Sequence, residues 1–310
     1  MIDQRKNNFT GSAMLLLCAI IWGFAFSAQR TASGHLSAIS FNGLRFFLAV
    51  GVLLVTVFAF DFVKKKKGIS IIGWNKDTLI GGAICGVALF IANNLQQYGV
   101  SLTSVGKASF ITTLYIVIVP VLALLMRRRP SIICRFAILV AVVGFYLMCM
   151  TEDLSVTTGD FMVLLCAIVF SFQILFIDIY AHNADPVKLT FVQFLVAAII
   201  SVPAMAIDGF PAAADINASI ISVLYVGILS AGVAFTLQTA GQQRTEPAIA
   251  TLLMSLESVF GLIGGVIILH ESPTLRELAG CLLVFIAVFM AQLNIPKTFL
   301  QANNRKYFID

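Results

Sequence analysis

Apolar residues run through this chain in long stretches, broken only by short polar or glycine- and proline-containing links. A hydrocarbon core about 30 Å thick takes roughly 20 helical residues to cross. Stretches of that order occur ten times, over residues 12–29, 38–60, 79–101, 105–126, 132–150, 159–180, 187–207, 219–241, 247–269 and 275–293. Runs such as 117–125 are apolar throughout, unlike the strict alternation of a membrane β-barrel. In such surroundings only a helix satisfies its own backbone groups. The pattern predicts an all-α integral membrane protein with ten transmembrane helices.

The stretches repeat. Leu16-Leu17-Cys18-Ala19-Ile20 returns 148 positions later as Leu164-Leu165-Cys166-Ala167-Ile168, and Leu44-Arg45-Phe46 lies over Val192-Gln193-Phe194 at the same spacing. At a spacing of 142, Leu95-Gln96 lies over Leu237-Gln238, Gly99 over Gly241 and Thr103 over Thr245. The change of offset places a shorter connection in the second copy, opposite Lys64 to Lys67. Each copy holds five spans, 12–150 and 159–293, and an odd number makes the second copy enter the membrane from the opposite side. Inverted repeats of this kind bind a ligand where the copies meet and suit alternating access.

Charge sets the orientation. With a cytoplasmic N-terminus, sixteen of the twenty Lys and Arg fall inside, including Lys64 to Lys67, Lys76, Arg127 to Arg129, Arg135, Lys188 and Arg244. Arg30, Arg45, Lys107 and Arg276 are left outside or within a span, and Glu152, Asp153, Asp160, Asp208 and Asp215 lie toward the opposite face. Both termini are expected in the cytoplasm of an inner-membrane protein. A composition of 59% hydrophobic and 11% charged residues, with mean hydropathy +0.97, lies far from soluble domains. The first span, with nine more after it, reads as retained and not as a cleaved leader.

The six cysteines lie within spans and no Cys-x-x-Cys pair occurs, so they read as small apolar packing. The net charge of +5 sits at membrane boundaries and does not point to nucleic acid. No phosphate-binding glycine loop or nucleophile elbow is present, and His270-Glu271 lacks metal-site spacing. No cofactor and no metal are expected; a small-molecule substrate and membrane lipid are the expected partners. The rival readings are a membrane-embedded enzyme and a scaffold.

Glu257 falls about eleven residues into the ninth span, near the midplane. A carboxylate there must face a cavity, pair with a cation or take up a proton, since insertion scales assign about +2.5 to +3.5 kcal/mol to a charge at that depth. Its counterpart at 142 residues' spacing is Tyr115, also near the midplane. Arg45, about seven residues into the second span, has Gln193 as counterpart. It is read as a buried packing, gating or ion-pairing group or as a snorkelling anchor, and with Glu257 as a candidate for proton coupling or an ion pair. Asn93, Asn94, Gln96 and Gln97 are too dense to face lipid, and Tyr98 and Gln238 extend that lining; interhelical hydrogen bonds are the alternative reading. Trp22, with Phe24 and Phe26, offers an aromatic wall for a substrate or ordinary core packing. Gly82-x-x-x-Gly86 and Gly261-x-x-x-Gly265 read as close helix contacts. The candidate substrate-binding set is Trp22, Asn93, Gln96, Gln97, Tyr115, Gln238 and Glu257.

Ala19-Ile20-Ile21-Trp22-Gly23, Leu44-Arg45-Phe46, Leu95-Gln96-Gln97-Tyr98-Gly99, Leu256-Glu257-Ser258-Val259-Phe260, Leu269-His270-Glu271 and Gly280 resemble, in order and spacing, the EamA-like transporters of the drug/metabolite transporter superfamily. The resemblance covers residues 12–293. It implies two inverted five-helix repeats, with helices one, three, four, six, eight and nine around a central cavity and the others peripheral. It also implies a secondary transporter or facilitator, mostly for export of amino acids or other small metabolites. The family often has Pro after the mid-span Glu, where this chain has Ser258, so a proline kink at that point is not carried over. It often has Gly where this chain has His270.

Overall fold

Each apolar stretch folds into helix because the backbone has no other source of hydrogen bonds in lipid. A computed structural model describes residues 2–125, 130–149, 157–270 and 272–293. The main segments are α1 (Phe9–Ala32), α2 (Ala38–Lys66), α3 (Asp77–Leu102), α4 (Val105–Leu125), α5 (Ile132–Cys149), α6 (Thr158–Asn183), α7 (Pro186–Asp208), α8 (Ile220–Gln242), α9 (Pro247–Leu269) and α10 (Leu275–Leu293). Among the described residues, eight helices are long and apolar enough to cross a membrane. The apolar parts of α5 and α10, Ile132–Leu147 and Leu278–Met290, are shorter. Met126 to Arg129, Met150, Glu152, Asp153, Lys297, Arg305 and Lys306, which bear on the span boundaries and the charge count, and Glu271 of the His270-Glu271 pair lie outside the described residues.

The packing is almost its own image when the two copies are exchanged. α1 packs chiefly on α8 and α9, and α6 on α3 and α4; α2 lies on α7 and α8, and α7 on α2 and α3. α5 pairs with α10, and α4 meets α9. The symmetry reaches single atoms. A Cβ on Gly99 would stand 2.3 Å from Val163 Cγ2 and 2.8 Å from the Gly159 carbonyl; one on Gly241 would stand 2.7 Å from Leu15 Cγ and 3.1 Å from the Gly11 carbonyl. Gly11 and Leu15 are the counterparts of Gly159 and Val163. Helix pairs that cross this closely at glycine gain their contact from backbone packing. Gly82 and Gly86 do the same against α7 at Val192 and Gln193, and Gly261 meets Ser109 of α4.

α4 and α9 break at equivalent places. Leu114 separates Val105–Thr113 from Tyr115–Leu125, and Ser255 and Leu256 separate Pro247–Met254 from Glu257–Leu269. Ser109 and Thr113 donate to the carbonyls of Gly106 and Phe110 (3.0 and 2.7 Å), and their counterparts Thr251 and Ser255 donate to Ala248 and Leu252 (3.0 and 2.8 Å). Hydroxyls that bond back to the preceding turn bend helices. The turns tighten to three-residue bonds, Val117 N–H to Leu114 O and Ser258 N–H to Ser255 O. The ninth helix is thus interrupted, at Ser255 and Leu256, without a proline at 258.

His270 ends α9 in a left-handed conformation, φ 56°. Glycine is the usual residue at such a helix end, because a Cβ there crowds the following carbonyl. His270→Gly should leave transport unchanged and raise unfolding stability by roughly 0.5–1 kcal/mol. A denaturant titration that finds equal or lower stability would contradict this.

Candidate functional site

The two helix breaks meet. Tyr115 and Glu257 are the first residues after them, and the Tyr115 hydroxyl donates to Glu257 Oε1 at 3.0 Å. They sit on a partly open cavity with about 430 Å³ of space free of protein atoms, its open mouth included. Its lining comes mainly from residues that are counterparts of one another: Trp22 and Phe170, Ala25 and Gln173, Phe26 and Ile174, Asn93 and Phe235, Gln96 and Gln238, Tyr115 and Glu257. The cavity therefore straddles the relation between the copies. Gln29, Arg45, Thr112 and Ser230 complete it.

Trp22 stands edge-on to Phe235, ring centroids 4.8 Å apart, and its indole N–H donates to the Ser230 carbonyl at 3.3 Å. Ser230 belongs to a wide π-helical stretch, Tyr225–Ala234, of the type that re-aims groups at functional sites. Gln96 donates to Thr112 Oγ1 at 3.3 Å, while Asn93 bonds back to Leu89 O at 2.9 Å.

Arg45 is 2% exposed and Glu257 3%, and both reach the cavity. No ion pair joins them. Arg45 Nη1 donates to Asn42 Oδ1 at 3.2 Å and the guanidinium lies 5.8 Å from the Phe46 ring centroid, but its Nε has no partner. Asn42 is in turn held by its own donations to Asn93 O (2.9 Å) and Asn94 Oδ1 (3.2 Å). The amide oxygens of Gln29, Gln173 and Gln238, all on the lining, are buried without partners. A buried polar atom without a partner costs about 1–3 kcal/mol, and a buried charge more. The lining thus brings together a buried guanidinium, a buried carboxyl group and three unpartnered amide oxygens.

Six of the seven candidate residues, and Arg45, meet at this cavity. Gln97 does not line it: it donates to Gln29 O at 3.1 Å, packing α3 on α1. Tyr98 is half exposed on the outer surface. α2, peripheral in the family pattern, contributes Arg45. Gln29, Phe170, Gln173, Ser230, Phe235 and Thr112 were not picked out in the sequence. Gln173 carried a signal there: an amide within the run 161–177, which is apolar apart from it and Ser171, opposite Ala25 in the first copy.

The cavity is not symmetric. Gln29, Arg45 and Thr112 line it, but their counterparts Ile177, Gln193 and Met254 are fully buried outside the lining. Gln193 instead accepts from Gln173 Nε2 at 3.1 Å. The space is displaced toward the end where α2 begins, the predicted outer end.

The two ends of the α2–α7 contact are related but differently built. At the end where α2 begins, Ser37, its N-cap, bonds Asp208, and Ser40 donates to Gly209 O at 3.4 Å. At the other end Asp185, the N-cap of α7 and the counterpart of Ser37, pairs with Lys64. There Lys188, the counterpart of Ser40, pairs with Asp61 at 2.8 Å and donates to Ile72 O at 2.8 Å. One end is hydroxyl-bonded and the other ionic. The end where α2 begins has its own ion pair between α4 and α6, Lys107 to Asp160 at 3.2 Å, with Thr103 donating to the same carboxylate at 2.6 Å.

The profile of the EamA-like transporter family matches residues 9–150 and 157–293. An uncharacterized transporter of Archaeoglobus fulgidus is 30% identical over 289 residues, covering 91% of this chain and 85% of that protein. The uncharacterized transporter YoaV of Bacillus subtilis is 23% identical over 291 residues, covering 89% and 94%. A crystal structure of a protein with 16% identity superposes with a TM-score of 0.72 over 91% of this chain and 96% of that one, a likeness of fold.

Proposed function

The chain belongs to the EamA-like transporter family, and on that premise we propose that its central cavity carries a small zwitterionic metabolite, an amino acid, outward across the inner membrane by alternating access. The observation that supports this is the pair Arg45 and Glu257: one buried cation and one buried carboxyl group in one cavity, without an ion pair between them. An amino acid offers each its complement. Its carboxylate takes the free face of the Arg45 guanidinium, and its ammonium meets Glu257 and the unpartnered amide oxygens of Gln173 and Gln238. Trp22, Phe26, Phe170 and Phe235 leave an aromatic and apolar wall for the side chain.

The near-symmetric packing supplies the second state. Exchanging the conformations of the copies would close the lining at Gln29, Arg45 and Thr112 and open it at Ile177, Gln193 and Met254, parting the Gln173–Gln193 bond. A carrier fits this lining better than a membrane-embedded enzyme, because its groups bind and orient. Counterflow tests the reading: purified protein in liposomes loaded with one unlabelled amino acid should accumulate the labelled form transiently at equal pH. Folded protein that exchanges none of the standard amino acids would overturn the substrate assignment.

A further inference from the structure

We propose that the connection between α2 and α3 is a docking surface for anionic phospholipid headgroups of the cytoplasmic leaflet. The segment reads Lys64-Lys65-Lys66-Lys67-Gly68-Ile69-Ser70-Ile71-Ile72-Gly73-Trp74-Asn75-Lys76, and Asp77 is the acid that follows it. Two classes of lysine meet here. Lys64 is committed to Asp185, and Lys188 of α7 to Asp61. Lys65, Lys66, Lys67 and Lys76 are exposed, and no ion pair holds them among the described residues.

The surface is held in place. The Lys188 ammonium donates to the Ile72 carbonyl at 2.8 Å and lies 5.5 Å from the Trp74 ring centroid. Trp74 stands edge-on to Phe191 of α7 at 5.9 Å. Asn75 donates to Asn183 O at 2.7 Å and accepts from Thr78 N–H at 2.8 Å, fixing the entry to α3. The segment is thus tied to the ends of α6 and α7, while Ile69, Ile71, Ile72 and Trp74 remain exposed beside the free lysines.

Depth places this surface at the headgroups. With 29 residues, α2 is about 44 Å long at 1.5 Å per residue, against about 30 Å of hydrocarbon. Its last turn, Lys64 to Lys66, therefore stands at headgroup level, and the exposed isoleucines and the tryptophan beyond it face the leaflet boundary, where aromatic and basic side chains anchor. Opposite charge selects the partner: four free ammonium groups against phosphate. The equivalent link of the second copy, Gly209-Phe210-Pro211-Ala212-Ala213, has no basic residue. Basic residues on this connection are confined to one side of the membrane, the side assigned as cytoplasmic by the charge count.

Native mass spectrometry of the full chain released from nanodiscs of mixed phosphatidylglycerol and phosphatidylcholine tests the proposal. The wild type should retain phosphatidylglycerol selectively, and Lys65→Gln/Lys66→Gln/Lys67→Gln/Lys76→Gln should lower its apparent affinity by about tenfold or more. Arg135→Gln/Arg276→Gln, which removes exposed cations elsewhere, should leave retention unchanged. Equal retention by the four-lysine variant, or equal loss in the arginine control, would overturn the proposal. Both variants should be checked for an unchanged melting temperature, and the Lys65→Arg/Lys66→Arg/Lys67→Arg/Lys76→Arg protein should retain lipid as the wild type does.

Discussion

Arg45→Met should lower amino-acid exchange by roughly a hundredfold while the protein reaches the membrane folded. Truncating one partner of a buried, hydrogen-bonded charge pair costs about 2–5 kcal/mol, and here the partner is the substrate carboxylate. Methionine keeps much of the apolar stem, so the packing on Phe46 survives. Arg45→Lys should recover part of the activity, because an ammonium keeps the charge but not the planar fork. Glu257→Gln should lower uptake driven by a pH gradient and exchange at equal pH together, since the amide can still accept from Tyr115 but no longer pairs with an ammonium. Loss of driven uptake alone would assign Glu257 to proton coupling instead. Full activity of either Arg45→Met or Glu257→Gln would remove that residue from the site.

Lys188→Met should shift the protein toward the state open at the cytoplasmic end. The lysine holds Asp61 and the Ile72 carbonyl where the counterpart Ser40 makes one hydroxyl bond. Losing a partly buried pair worth about 1.4 kcal/mol changes a two-state equilibrium tenfold. In a background without native cysteines, Cys placed at Ile177 or Met254 should then react about tenfold faster with a water-soluble thiol reagent, and Cys at Gln29 or Thr112 more slowly. Lys107→Met, which frees the other end, should move the ratio the opposite way. Parallel changes at all four positions would indicate general loosening and would count against a two-state exchange.

Much of this arrangement was legible in the chain because lipid imposes simple demands. Apolar runs of spanning length marked the helices, and the offsets of 148 and 142 aligned Tyr115 with Glu257 and Gln96 with Gln238 before their positions in space were known. What was not legible depended on rotation and on distant partners. Gln96 and Gln97 are neighbours, but about 100° of helical rotation sends one to the cavity and the other to the backbone of α1. The breaks in α4 and α9 arise from hydroxyls bonding to their own turns, a choice that Thr113 and Ser255 make only in the folded helix. Lys64 and Asp185 are separated by 121 positions, and no local pattern joins them. Arg45 was ambiguous between a snorkelling anchor and a buried group; the contact of Asn42 with Asn93 and Asn94 decides it, by turning the guanidinium inward.

The central claim is that one cavity holds both charged groups of one substrate. Thermal unfolding of purified protein with an amino acid that exchanges in liposomes, its carboxamide and its N-acetyl derivative tests this most directly, since a ligand of the folded state stabilises it by about 2.7 kcal/mol at a hundred times its Kd. The account predicts a raised melting temperature with the free amino acid alone, abolished in Arg45→Met. Equal stabilisation by the carboxamide or the N-acetyl compound, or stabilisation that persists in Arg45→Met, would contradict it.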